Sequence, residues 1–248
     1  MNRLDPLAAF AGLVKIALAE PLRDKIAYFW SLAQPLFAIA FIAASSGGLA
    51  LDAAAVARYG LYICFVNSIY TTGATLLWKR ESGVLRAFAR TEASRRRLIM
   101  AQIAASTIYA SIFCCFLLSL LALINSVPIG LPTCLSIVCA GLVASLLGSL
   151  ASLLILRTNL SFANASAAMN IYAFALAVMT FFIGPQVSYF VVIQSFNPVS
   201  LFSAVLFSPL THDQRVGVTL LSAVWALLCI GAGYLGVSHF RIRPSTLR

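Results

Sequence analysis

The sequence predicts an all-α membrane protein with six transmembrane helices, and three observations predict it. The first is composition. Of 248 residues, 61% are hydrophobic and 10% charged, with a mean hydropathy of +0.96. Soluble domains run at roughly 45–50% apolar and about 25% charged. A water-soluble enzyme, a disordered chain and a nucleic-acid-binding module are thereby excluded. The second is the length of the uninterrupted apolar stretches. A helical crossing of the hydrocarbon layer needs about 20 residues, and residues 26–45, 59–78, 101–124, 134–156, 163–183 and 216–237 each supply such a run without an internal Asp, Glu, Lys or Arg. The third is the position of the charges, which comprise 17 Lys and Arg against 7 Asp and Glu. All but Arg58 and Arg215 of the basic residues precede span one, lie between spans two and three or four and five, or follow span six. Positive charge is retained on the cytoplasmic side, so both termini are expected there.

The elements follow in chain order. Residues 1–25 form a cytoplasmic segment in which Leu7, Phe10, Ala11, Val14, Ala17 and Leu18 make one stripe at helical spacing, with Gly12 and Lys15 off it. That pattern predicts an amphipathic helix in the membrane interface, ending in a bend at Pro21. Ala17-Leu18-Ala19 imitates a signal-peptidase site, but Asp5 and Lys15 interrupt the apolar core a signal peptide needs. Residues 26–248 are then the six-helix transmembrane domain. Gln34-Pro35 in span one frees a carbonyl and kinks the helix. Span two carries Tyr59, Tyr62, Asn67, Tyr70 and Thr71, and span five carries Asn170 and Tyr172; in hydrocarbon such groups need partners or a polar cavity. Gly141/Ser145 and Ala144/Gly148/Ser152 recur at fourfold spacing in span four and predict close packing on a neighbour.

Two connecting regions carry the most information. Residues 79–97 begin where span two leaves the bilayer at Trp78, an interfacial anchor. Gly83 lets the chain turn. Val84/Phe88 and Leu85/Ala89 then pair at i,i+4 on one face, and Arg86/Arg90 pair on another. A short helix with one apolar and one basic face suits a groove on a cytoplasmic partner, or it is an ordinary basic loop. Arg95, Arg96 and Arg97 mark the return to anionic headgroups. In residues 184–215, Gly184-Pro185-Gln186 ends the fifth helix, and the apolar stretch that follows is split by Asn197-Pro198. Each half is too short to cross, which predicts two re-entrant helices dipping back from the outer face.

Lys79-Arg80-Glu81 at the end of span two, then Gly83, Leu85 and Thr91, resembles the cytoplasmic loop of ABC-2 type export permeases. In this sequence Thr91 is followed by Glu92, where many members have Pro. The layout is similar to that family as well: an interface helix, six spans, a long loop after the second and a re-entrant excursion before the last. The resemblance implies that Glu81, Gly83, Val84, Leu85, Arg86, Phe88 and Arg90 couple this chain to a separate ATPase subunit, present in two copies. It implies a second permease chain as homodimer or heterodimer, in the plasma (inner) membrane. Gln34, Asn67, Tyr70, Thr71, Asn170 and Tyr172 become candidates for the substrate pathway. ATP and Mg would be held by the partner, since this sequence has no GxxxxGK[ST] phosphate loop. With no charge in the spans, the expected cargo is amphipathic or lipid-like: a drug, a peptide or a lipid-linked glycan.

Other function classes have less in their favour. Intramembrane catalysis needs an activated nucleophile or an acid/base pair at depth, and no span holds a His or a carboxylate. An ion-coupled carrier demands intramembrane carboxylates, which leaves an uncharged-pore channel or carrier as the alternative. No catalytic residue, metal site or nucleic-acid partner is expected. The six cysteines lie in apolar stretches without a CxxC pair and read as small hydrophobes, and His212 and His239 fall outside the spans.

Overall fold

The computed structural model describes residues 6–23, 53–85, 91–125, 130–181, 195–207 and 211–238. Span one with Gln34, the loop residues Arg86, Phe88 and Arg90, and the first half of the re-entrant region lie outside the described residues. Among the described residues all regular structure is helical. The elements are α1 (Pro6–Arg23), α2 (Ala53–Ile69), a π-turn (Tyr70–Ala74), α3 (Thr75–Glu81), α4 (Glu92–Asn125), α5 (Leu131–Ser152), a 3-10 turn (Leu153–Arg157), α6 (Phe162–Phe181), α7 (Pro198–Phe207) and α8 (His212–Ser238). Among the described residues five helices, counting α2 through α3 as one rod, are long and apolar enough to cross a membrane.

Local chemistry sets the helix starts. Thr91 and Ser94 exchange bonds in a reciprocal cap: each backbone N–H donates to the other's hydroxyl, at 3.2 Å and 3.1 Å. This cap opens α4 at Glu92, nine residues before the apolar run, so Arg95–Arg97 lie on the helix itself. Ser161 accepts from the Asn164 N–H at the start of α6. Asn197 caps α7, its Oδ1 taking the N–H groups of Val199 and Ser200 at 3.1 Å and 3.3 Å, and Pro198 supplies the preset φ of a first helical residue. At α8 the Thr211 N–H donates to Gln214. One expectation changes: α1 continues through Pro21 to Arg23 without ending there, because proline's fixed φ is itself helical and only one ladder bond is lost.

The rod of α2, π-turn and α3 is the centre of the bundle. Of its most apolar stretch 78% is buried, against 22% for α6 and 17% for α8. It runs antiparallel to α4 and α6 and packs most extensively along α5, which points the same way. The small residues of α5 are what let the backbones approach. A Cβ on Gly148 would sit 2.5 Å from the Phe65 carbonyl oxygen, and one on Gly141 would sit 2.9 Å from Cys64 Sγ. Gly60 and Gly73 on the rod reciprocate, facing Ile137 and Ser152. The α8 helix seats on the other side of α5 in the same manner, with Gly236 against the Leu153 carbonyl. In hydrocarbon, where burying apolar surface gains nothing, this contact is what holds helices together.

The remaining pieces close the two ends. At the end bearing Lys79, Leu76, Leu77, Ile99, Ile103, Leu153, Leu156 and Ala165, from four elements, form one cluster with Leu85 of the connection past Gly83. α1 lies along α4 with Ala17 buried and Phe10, Leu13, Val14 and Leu18 half-buried, while Leu7 and Ala11 of the predicted stripe are exposed. The stripe is wider than the contact with one helix. At the opposite end α7, ten residues or about 15 Å long, packs on α2 and α8. Asn197, fully buried, donates from Nδ2 to Thr180 near the end of α6 at 2.8 Å, and Trp225 of α8 donates to the Ser195 carbonyl at 3.0 Å.

Candidate functional site

The rod carries a run of polar groups along its length, and each does definable work. The Cys64 carbonyl accepts from Ser68 and from Ser145 of α5, and the Asn67 carbonyl accepts from the Thr71 hydroxyl at 2.7 Å. In the π-turn the chain winds one residue too many per turn, which releases carbonyls from the α ladder. There the Thr71 carbonyl takes a bond from Gln102 Nε2 of α4 at 2.9 Å. The Thr72 hydroxyl lies 2.8 Å from Ser106 of α4 and 2.9 Å from Ser149 of α5, and all three are buried. Three helices meet at this hydroxyl cluster. Gly73, in the same turn, would crowd Ser152 and Met169 if it carried a Cβ.

Toward α6 the rod presents aromatic residues. Tyr59 stacks on Phe181 with ring centroids 4.5 Å apart, and Tyr62 meets the same ring edge-on. The Tyr62 hydroxyl donates to the Ala173 carbonyl at 3.1 Å, and Tyr70 donates to Asn170 Oδ1 at 2.5 Å. Asn170 is exposed, near the middle of α6, where an uncovered amide is costly in hydrocarbon. Asn67, one turn before Tyr70 on the same side of the rod, is buried, and its amide nitrogen has no hydrogen-bond partner among the described residues. The seam between the rod and α6 thus combines ring faces with unspent amide donors and no charge.

The second concentration of polar chemistry is at the end of α3. Lys79, Arg80 and Glu81 are consecutive, yet each side chain goes to a different element. The buried Lys79 ammonium donates to Gln102 Oε1 at 2.9 Å and pairs with Glu20 of α1 at 2.7 Å. Arg80, 1% exposed, donates to the carbonyls of Leu156, Thr158 and Leu160 at 3.2, 2.9 and 2.6 Å. The Leu156 and Thr158 oxygens lie at the end of the 3-10 turn, where helix carbonyls lack partners and the dipole is negative, and Leu160 is in the connection to α6. The Glu81 carboxylate accepts the N–H of Phe162, first residue of α6, at 2.7 Å. An anion at a helix N-terminus is favoured for the converse reason. Arg80 and Glu81 therefore cap the end of one helix and the start of the next from a third.

The candidates from the sequence distribute as follows. Tyr70 and Asn170 bond directly, with Asn67 and Thr71 on the adjoining turn. Tyr172 is two positions from Asn170, about 200° around the helix, and does not join them. Among the loop residues, Gly83 turns the chain with φ of +78°, a conformation glycine adopts without strain. Leu85 is buried in the chain's own cluster, Glu81 is bonded to α6, and Val84 is half-buried. Sequence reasoning missed Lys79, Arg80, Gln102 and Glu20. A charged triplet abutting an apolar run was the available signal for the first two; a lone Gln at the edge of a span and a Glu fifteen residues from any other carboxylate but Asp24 gave none.

All six cysteines are free. No three metal-ligating side chains come together among the described residues. No known family's sequence profile, no curated protein and no solved structure matches the chain. The functional reading rests on residues and geometry.

Proposed function

We propose that this chain is the membrane-spanning permease subunit of an ATP-driven exporter of the ABC-2 type. In this reading residues 26–45 supply a sixth span, α1 is an interface helix, and α7 is the second half of an external re-entrant pair. Both termini face the cytoplasm and the chain resides in the plasma (inner) membrane. Two permease chains, alike or different, work with two copies of a separate ATPase subunit that binds ATP and Mg. Closure of the ATPases presses on residues 79–97, and the permease halves rock to release an amphipathic or lipid-like cargo outward between the rod and α6.

The observation that carries the reading is the junction at Lys79-Arg80-Glu81. The segment leaving the central rod is bonded at once to α1, α4, the end of α5's 3-10 turn and the start of α6. A load applied beyond Gly83 therefore reaches four elements through short polar contacts. An anchor of that kind suits transmission of force better than a solvated loop would. The seam of Asn67, Tyr70 and Asn170, lined by rings and uncharged amides, suits a cargo with an apolar body and hydrogen-bond acceptors.

The test is purification of the detergent-solubilised chain together with proteins encoded at its own locus, followed by ATPase assay. Recovery of an ATPase in fixed ratio, whose hydrolysis is uncoupled by Arg86→Ala plus Arg90→Ala, is the expected result. A chain that purifies alone, with no nucleotide dependence, refutes the proposal and leaves an uncharged pore as the reading to pursue.

A further inference from the structure

Gln102 occupies an unusual position with respect to the π-turn. Its Nε2 bonds the Thr71 carbonyl, inside the turn, and its Oε1 accepts from Lys79, eight residues on and beyond the turn. One buried side chain of α4, 1% exposed, thus joins the two halves of the rod across the place where their register changes. Side chains on a helix lean toward its N-terminus, which is how Lys79 reaches back to Gln102 instead of out to water. Its remaining contact, Glu20, belongs to α1. A continuous chain of polar contacts runs from the interface helix to the centre of the rod: Glu20, Lys79, Gln102, Thr71 carbonyl.

We infer that the π-turn is a register switch, held wound by Gln102 and governed by α1 through the Glu20–Lys79 pair. Absorbing the extra residue into α geometry advances the far half of the rod by one residue, about 100° of rotation and 1.5 Å of rise. Gln102 cannot keep both bonds through such a step, because one partner lies within the turn and the other beyond it. The step also moves Arg80 and Glu81, and with them the end of the 3-10 turn and the first residue of α6. Displacing α1 removes Glu20 from Lys79 and leaves a buried ammonium short of its anion, a cost that Lys79 relieves by turning its head out to water and off Gln102. Gln102 and Lys79 are thus positioning residues for Tyr70 and Thr71, and this deepens the transport reading by supplying the element that has two states. The turn itself is independent of that reading.

The test reads register by disulfide formation in membrane vesicles holding the full chain. Thr72→Cys with Ser149→Cys replaces a hydroxyl pair 2.9 Å apart just beyond the Thr71 carbonyl. Cys64 with Ser145→Cys, in a background with Cys114→Ser because that thiol shares the site, reports the near half of the same rod, where the Ser145 hydroxyl meets the Cys64 carbonyl. Copper phenanthroline is the oxidant, and mass spectrometry of the linked peptides gives the rates. Gln102→Leu should slow the Thr72–Ser149 crosslink about tenfold, the effect of losing a hydrogen bond to a polar group in a dry site, and leave the Cys64–Ser145 crosslink unchanged. Gln102→Glu keeps the acceptor for Lys79 but not the donor for Thr71, and should act like Gln102→Leu. Glu20→Gln should slow the far crosslink by a smaller factor. Unchanged far crosslinking in both Gln102 variants overturns the inference, and so does a parallel fall of both crosslinks, which means general loosening. An unchanged rate in Glu20→Gln overturns control by α1. No nucleotide or cargo enters the readout, so a missing ATPase partner would refute the transport reading and leave this result standing.

Discussion

Replacing Arg80 with methionine tests the junction most directly. The side chain keeps much of its volume, so the loss is confined to the guanidinium and its three carbonyl partners at 2.6–3.2 Å. Hydrogen bonds from a charged donor contribute about 1.5–3 kcal/mol each. Against them stands the cost of holding a cation out of water, several kcal/mol after relaxation. The carbonyls left behind end a helix and regain water only in part. A net loss of about 3 kcal/mol follows, at the low end of what removing one partner of a buried charged contact costs. For a chain of this size 1 kcal/mol shifts the melting temperature by about 2–4 °C. The expected drop is therefore about 6–12 °C, followed by intrinsic fluorescence of the three tryptophans in detergent. Arg80→Lys should recover about half of it, since one ammonium cannot span three carbonyls as the planar fork does. A melting temperature for Arg80→Met within about 2 °C of the parent would refute the argument that Arg80 holds the 3-10 turn.

Two further perturbations separate packing from capping. Gly148→Ala places a Cβ 2.5 Å from the Phe65 carbonyl and should destabilise by about 1–3 kcal/mol through overpacking. Gly231→Ala, with nothing within 4 Å, should leave the same melting curve in place; equal shifts in the two variants would sink the backbone-contact account of α5. Asn197→Ala removes both the cap of α7 and the bond to Thr180, and should cost about 2 kcal/mol. Asn197→Asp keeps the cap acceptor but not the Nδ2 donor and should fall between. If limited proteolysis finds α7 equally protected in all three proteins, Asn197 does not anchor this helix.

The sequence by itself determined the helical membrane class and, among the described residues, five helices long and apolar enough to cross. Bilayer thickness translates directly into apolar run length, so five of the expected spans were legible to within a few residues, except where Thr91 starts α4 early. Small residues at fourfold spacing announced a close contact for α5, and Gly83 announced a turn, because each follows from what one residue type permits locally. Which helix α5 packs against was not legible, because every span in such a chain is apolar on all sides. The central place of the rod had to come from the tertiary structure for the same reason. Asn67, Tyr70 and Asn170 could be named as polar groups in need of partners, but their pairing joins residues a hundred positions apart. The π-turn, the reach of Gln102 across it and the division of Lys79, Arg80 and Glu81 among four elements were decided only by the tertiary structure. A charged triplet in sequence says that cations and an anion leave the membrane there; the carbonyls, helix start and carboxylate that meet them are set by how distant segments pack.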